Sequence, residues 1–161
     1  MKQTPILDLT VPNATLRDVM KAALEHGASF RFRALGWSMS PFIREGDLVV
    51  VSPMQGKKLA VGQVVAFIQP DSDQMLIHRI IHLDASYCWI KGDNTPGRDD
   101  GIVPVENIIG WVIQVKRNGQ KVWFGQGLTG YWIALLSRCD LLVPIMSVLR
   151  IVIKRTIAPS Q

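Results

Sequence analysis

Met75-Leu76-Ile77-His78-Arg79-Ile80-Ile81-His82-Leu83 decides the fold, because it can be read as two different elements. As a helix it would stack His78 and His82 one turn apart, the spacing of paired zinc ligands. That zinc-protease pattern needs a glutamate directly after the first histidine, and here Arg79 follows it. As a strand the side chains alternate, with His78, Ile80 and His82 sharing one face. The strand reading fits better, and the chain on either side repeats it.

Ser29–Leu35 sets Phe30, Phe32 and Ala34 against Arg31 and Arg33. Asp47–Val51, Gln63–Ile68, Tyr87–Lys91, Ile109–Lys116 and Lys121–Phe124 are short runs rich in Val, Ile and aromatic residues, separated by Gly, Pro, Asp or Asn. Short strands at this density predict a mainly β domain, a compact antiparallel sheet or partial barrel. Ahead of it, Thr15 to His26 predicts a helix, with Thr15 and Asp18 as a capping box and Leu16, Val19, Met20 and Ala23 on one face. Gly27 stops this helix, and the C-terminal dipole accounts for His26 without a catalytic role. Beyond Gly130 the texture changes: Tyr131–Ile153 is apolar except for Ser137, Arg138, Asp140, Pro144, Ser147 and Arg150. The charges and the proline argue against a spanning helix and predict two helical pieces joined at Pro144, with Asp140, Pro144, Ser147, Arg150 and Lys154 on one face. The expected organisation is an N-terminal segment over residues 1–28, a β domain over 29–125 and a hydrophobic, basic helical tail over 126–161.

The chain has 161 residues, 48% hydrophobic and 19% charged, enough for a real core and unlike a disordered chain. Its net charge of +5 invites a nucleic-acid or membrane partner. The distribution narrows that choice. Residues 111–161 carry Lys116, Arg117, Lys121, Arg138, Arg150, Lys154 and Arg155 against Asp140 alone, while the rest of the chain is nearly balanced. The β region has no basic, aromatic-interleaved platform, so nucleic acid is not an expected partner. Cys88 and Cys139 both lie in apolar runs and read as small buried hydrophobes, compatible with a reducing compartment. The first residues lack the apolar stretch of a signal or anchor, so the expected location is cytoplasmic.

Three stretches carry chemistry. Gly36-Trp37-Ser38-Met39-Ser40-Pro41 offers a serine in a Gly- and Pro-bounded loop, where backbone N–H groups can face an oxyanion, although such a serine is usually a turn residue. His78 lies on the apolar strand, where a hydrogen-bonded structural role competes with that of a base. Lys91-Gly92-Asp93-Asn94-Thr95-Pro96-Gly97-Arg98-Asp99-Asp100-Gly101 brings three carboxylates into one loop. Thr95 and the missing closing glutamate exclude an EF-hand, and no metal or cofactor is expected.

In this order, joined by Glu45-Gly46-Asp47-Leu48-Val49-Val50-Val51, Gly62-Gln63-Val64-Val65-Ala66-Phe67 and Ile109-Gly110-Trp111-Val112, the stretches resemble the signal peptidase I family from about Leu35 to Val115. The bacterial branch carries a lysine base where His78 stands, so the chain looks like the endoplasmic-reticulum and archaeal branch, which uses Ser, His and Asp. The resemblance implies a β-rich peptidase fold and a serine endopeptidase with Ser38 as nucleophile and His78 as general base. It implies Asp100 as the carboxylate that orients His78, with Asp99 and Asp93 as rivals, Asp93 being better suited to a structural place in the turn. Some members add a serine hydroxyl two residues before the nucleophile, and Gly36 occupies that position here. Met39 is implied as a wall of the substrate pocket, and the strand through Ile77 as a partner for an extended peptide with small residues near the cleavage site.

Signal peptidases carry an N-terminal membrane anchor, and the predicted Thr15–His26 helix takes its place here. A cytoplasmic enzyme would meet a different substrate, such as the leader of a modified peptide or a membrane-proximal tail. The alternative function is an inactive peptide-binding or membrane-associated module on the same fold. The tail, through residues 130–155, either attaches peripherally to an anionic membrane or packs on the β domain or a second copy.

Overall fold

The computed structural model describes residues 13–97 and 101–157. Helix α1 (Asn13–Glu25) precedes strands β1 (Phe30–Arg33), β2 (Leu48–Ser52), β3 (Val64–Ile68), β4 (Met75–Leu83), β5 (Tyr87–Lys91) and β6 (Ile102–Pro104). A 3-10 turn over Val105–Asn107 leads into β7 (Ile108–Arg117) and β8 (Gln120–Val122), and helices α2 (Gly127–Arg138) and α3 (Leu142–Ile157) follow. The eight strands form one antiparallel sheet in the order β1-β2-β7-β3-β4-β5-β6, with β8 paired to the end of β7. The mainly β expectation is therefore met, with a helix before the sheet and two after it.

Apolar side chains that alternate along the strands make two cores. Leu16, Met20 and Leu24 of α1 pack with Phe30, Phe32 and Val49 in one, while Val65, Phe67, Ile80 and Ile90 anchor the other. Helix α1 begins two residues before Thr15, which therefore sits inside the helix and cannot act as its N-cap. Val19 is largely exposed, so the buried face is Leu16, Met20 and Leu24. At the other end, Gly27 has a φ of +74° and His26 Nδ1 lies 2.8 Å from Ala22 O, as a helix-terminating pair should.

The alternation along β4 holds as far as Ile80 and then breaks. Ile80 pairs with Ile90, and His82 with Trp89, so Ile81 is the extra residue of a bulge. Neighbouring residues of β5 point to opposite faces, so the bulge turns His82 away from His78 and Ile80, against the expectation. His82 packs beside Trp89, with ring centroids 4.9 Å apart. Arg79, Lys91, Trp89 and His82 thus share the face on which α2 lies.

The joint in the tail also differs from the expectation. Pro144 sits in the first turn of α3, where its missing N–H needs no helical partner. The break falls at Cys139–Leu141, where Asp140 takes a φ of +57°, and the two helices meet at a bend of 108°. Cys88 is fully buried, whereas Cys139 is exposed at the end of α2, because that helix turns its other face to the sheet.

Candidate active site

Ser38 lies on a turn held from two sides. After β1 the chain turns at Gly36, whose φ of +75° suits a residue without a Cβ. The amides of Phe42 and Ile43 both bond to Met39 O, and Met39, Phe42 and Ile43 are buried in the first core. From the opposite side, Asn94 donates its backbone N–H to Ser38 O at 2.7 Å and its side-chain amide to Trp37 O at 3.3 Å. Among the described residues, no hydrogen bond takes up the N–H of Ser38 itself.

His78 reaches this turn from β4, 6% exposed, with Phe67 beside its ring. Its Nε2 lies 2.7 Å from Ser38 Oγ, a full hydrogen bond between residues forty positions apart in the sequence. Gly92 makes the approach possible. A Cβ there would meet Ser38 O at 2.8 Å and His78 Nε2 at 3.2 Å.

Arg79, the next residue along, faces the other way and is fully buried. Its Nε and Nη2 bind the two oxygens of Asp93, each at 2.8 Å. The remaining N–H groups reach Gly62 O, Gly125 O and Phe124 O, so all five guanidinium donors are used. Both oxygens of Asp93 are thereby engaged by Arg79. Asp99 and Asp100 lie outside the described residues.

Beside Ser38 and His78 opens a mainly apolar cavity of about 220 Å³, lined among others by Leu16, Phe32, Met39, Ile43 and Ile77. Met39 and Ile77 both line this cavity. Leu16 brings α1 into the wall, which sequence reasoning missed. One edge of β4 flanks the cavity. β3 pairs with Met75–Arg79 on one side, but β5 pairs only from Arg79 onward. Among the described residues, no strand covers the second edge of Met75 to His78.

The α2–α3 corner closes on the loop after β5. Lys91 Nζ donates to Ser137 O at 3.1 Å and to Asp140 Oδ1 at 2.5 Å, and Gly97 N–H donates to the same Oδ1 at 3.0 Å. The Gly97 N–H first, and then Lys91, hold the Asp140 carboxyl below its ordinary range. Sequence reasoning gave no role to Gly92, Arg79 or Lys91. Arg79 and Lys91 left one signal, a cation within or closing an otherwise apolar strand. No group of His, Cys, Asp and Glu able to hold a metal occurs among the described residues.

Residues 5–113 match the Peptidase S24-like family, a span from ahead of α1 into β7 that contains both Ser38 and His78. No curated protein matches the chain. The chain belongs to the Peptidase S24-like family, and its fold is of the serine-peptidase type. The match is to this broader family; helices α2 and α3 fall outside it.

Proposed function

We propose that this S24-like peptidase is a serine endopeptidase of the signal-peptidase manner, cleaving an extended leader or signal-like peptide. The observation that carries the reading is the 2.7 Å contact of Ser38 Oγ with His78 Nε2 on a turn pinned from both sides. A serine hydroxyl attacks an amide only if a base removes its proton during attack. His78 is that base, and it returns the proton to the leaving amine as the acyl-enzyme forms. Water then attacks the ester, with His78 again taking and returning a proton, and the carboxylate product leaves. The Ser38 N–H supplies a donor to the oxyanion, which suits a site where Gly36 offers no hydroxyl. A carboxylate from the loop, Asp100 ahead of Asp99, orients the imidazole. Asp93 is unsuited to that task because Arg79 holds both its oxygens.

The substrate lies extended along the open edge of β4 through Ile77, adding a strand and presenting small residues near the scissile bond to the cavity walled by Met39. A serine-directed covalent probe tests the chemistry without knowledge of the substrate. Labelling is expected at Ser38, to be lost in Ser38→Ala and in His78→Ala, and to fall far more in Asp100→Asn than in Asp99→Asn. Labelling of Ser38 that is indifferent to His78 contradicts the assignment, as does peptide binding with no probe reaction at all.

A further inference from the structure

The helices beyond the family match expose apolar surface that the sheet does not use. On α2, Gly130, Ile133, Ala134 and Ser137 are buried against the body. Leu128, Tyr131, Trp132 and Leu135, at spacings of three and four, form the opposite stripe and are exposed, Leu128 by 83% and Trp132 by 61%. On α3, Leu142 is buried and Met146 packs against the same core. Ile145, Val148, Leu149, Ile151 and Ile153 are each about half exposed. At the helical repeat these five spread over roughly 200° of the circumference. A seam against another helix occupies a much narrower stripe, so a second copy would leave most of this surface in water.

Charge identifies a better occupant. Helices α2 and α3 and the turn between them have four basic residues, Arg138, Arg150, Lys154 and Arg155, and one acidic residue. That one acid, Asp140, is turned onto Lys91 and the Gly97 N–H, so it does not offset the exposed Arg138 and Arg150. Trp123, Trp132 and Tyr131 supply exposed rings with one polar edge, the side chains that settle at the boundary between hydrocarbon and water. Neither helix is long and apolar enough to cross a bilayer alone, and the 108° bend prevents the pair from acting as one straight span.

We propose that α2 and α3 are an interfacial docking element that seats this protein on an anionic lipid bilayer, with the exposed apolar faces among the acyl chains and the basic residues at the headgroups. The Lys91–Asp140–Gly97 contacts tie the docked corner to the loop that follows Asp93, so the candidate active site is held close to the lipid surface. This proposal does not depend on turnover, and vesicle binding can be measured in protein with or without peptidase activity.

The test is sedimentation of the full chain with vesicles of phosphatidylglycerol and phosphatidylcholine, compared with phosphatidylcholine alone. Binding is expected to the anionic vesicles and to weaken several-fold on neutral vesicles or in high salt. The double substitution Val148→Glu with Ile151→Glu, at two exposed positions, is expected to lower the partition coefficient by about tenfold or more with the circular dichroism spectrum unchanged. Partition unaffected by the double substitution overturns the proposal. So does a dimer in light scattering that the same substitution dissociates, without vesicle binding. Retention in the membrane after alkaline carbonate extraction overturns it in favour of a spanning segment.

Discussion

A methyl group added at Gly92 would press on Ser38 O and His78 Nε2 together, so this residue sets how closely the loop packs on Ser38 and His78. Gly92→Ala is expected to cost about 1–3 kcal/mol in stability, as overpacking usually does. Its effect on catalysis should be larger in proportion, because a misplacement of roughly 1 Å can cost about 100-fold in rate. The check is kcat/KM and thermal unfolding measured on the same preparation; a loss of stability with unchanged kcat/KM would refute the role given to Gly92. The cysteines give a second residue-scale test. Burial pushes the Cys88 thiol up to about 11, while Cys139 is exposed. At pH 8 a thiol reagent should titrate Cys139 alone in the native protein and reach Cys88 only after unfolding. Rapid native reaction at both sites would contradict the burial of Cys88.

Among the elements, β4 shows how far the sequence could be read. Its alternation identified the strand and put His78 on an inward face, but the bulge at Ile81 left no mark in composition, and His82 ended on the other side. Strand β6 is only Ile102-Val103-Pro104, too short for a pattern and closed by a residue that ladders disfavour. In the tail, Pro144 looked like the natural break, yet proline is well accommodated in a first helical turn, and the chain turned instead where Lys91 and Gly97 hold Asp140. Ser38 and His78 could be named from ordered motifs, whereas their support by Gly92, Asn94 and Arg79 depends on contacts made only in the folded chain. Arg79 is the element-scale hinge of stability, linking β4 to Asp93 and to the carbonyls before α2. Asp93→Asn leaves a buried guanidinium without its counter-charge and should destabilise by about 3–5 kcal/mol. Denaturant unfolding measures this, and a loss below about 1 kcal/mol would mean the pair is not the staple described.

For the whole molecule, the net charge of +5 separates into a nearly balanced β region and a basic, apolar pair of helices. The first holds the candidate chemistry and most of the family match; the second lies beyond the match and exposes the apolar surface proposed to dock on lipid. The two helices differ in how they meet the body: α2 packs one face on the sheet, while α3 leaves most of its described surface uncovered. The Asp140 contacts join the two parts, so a substrate near a membrane and the Ser38–His78 pair would be brought to the same place.

Whether Ser38 and His78 cleave peptides is decided by comparing peptide termini in a proteome exposed to the active protein, to Ser38→Ala and to His78→Ala. New termini are expected only with the active protein, following small residues, with a fall of roughly 10⁴-fold or more in their rate of formation in either variant and both variants still folded. The same termini appearing at the same rate with folded Ser38→Ala would contradict this expectation.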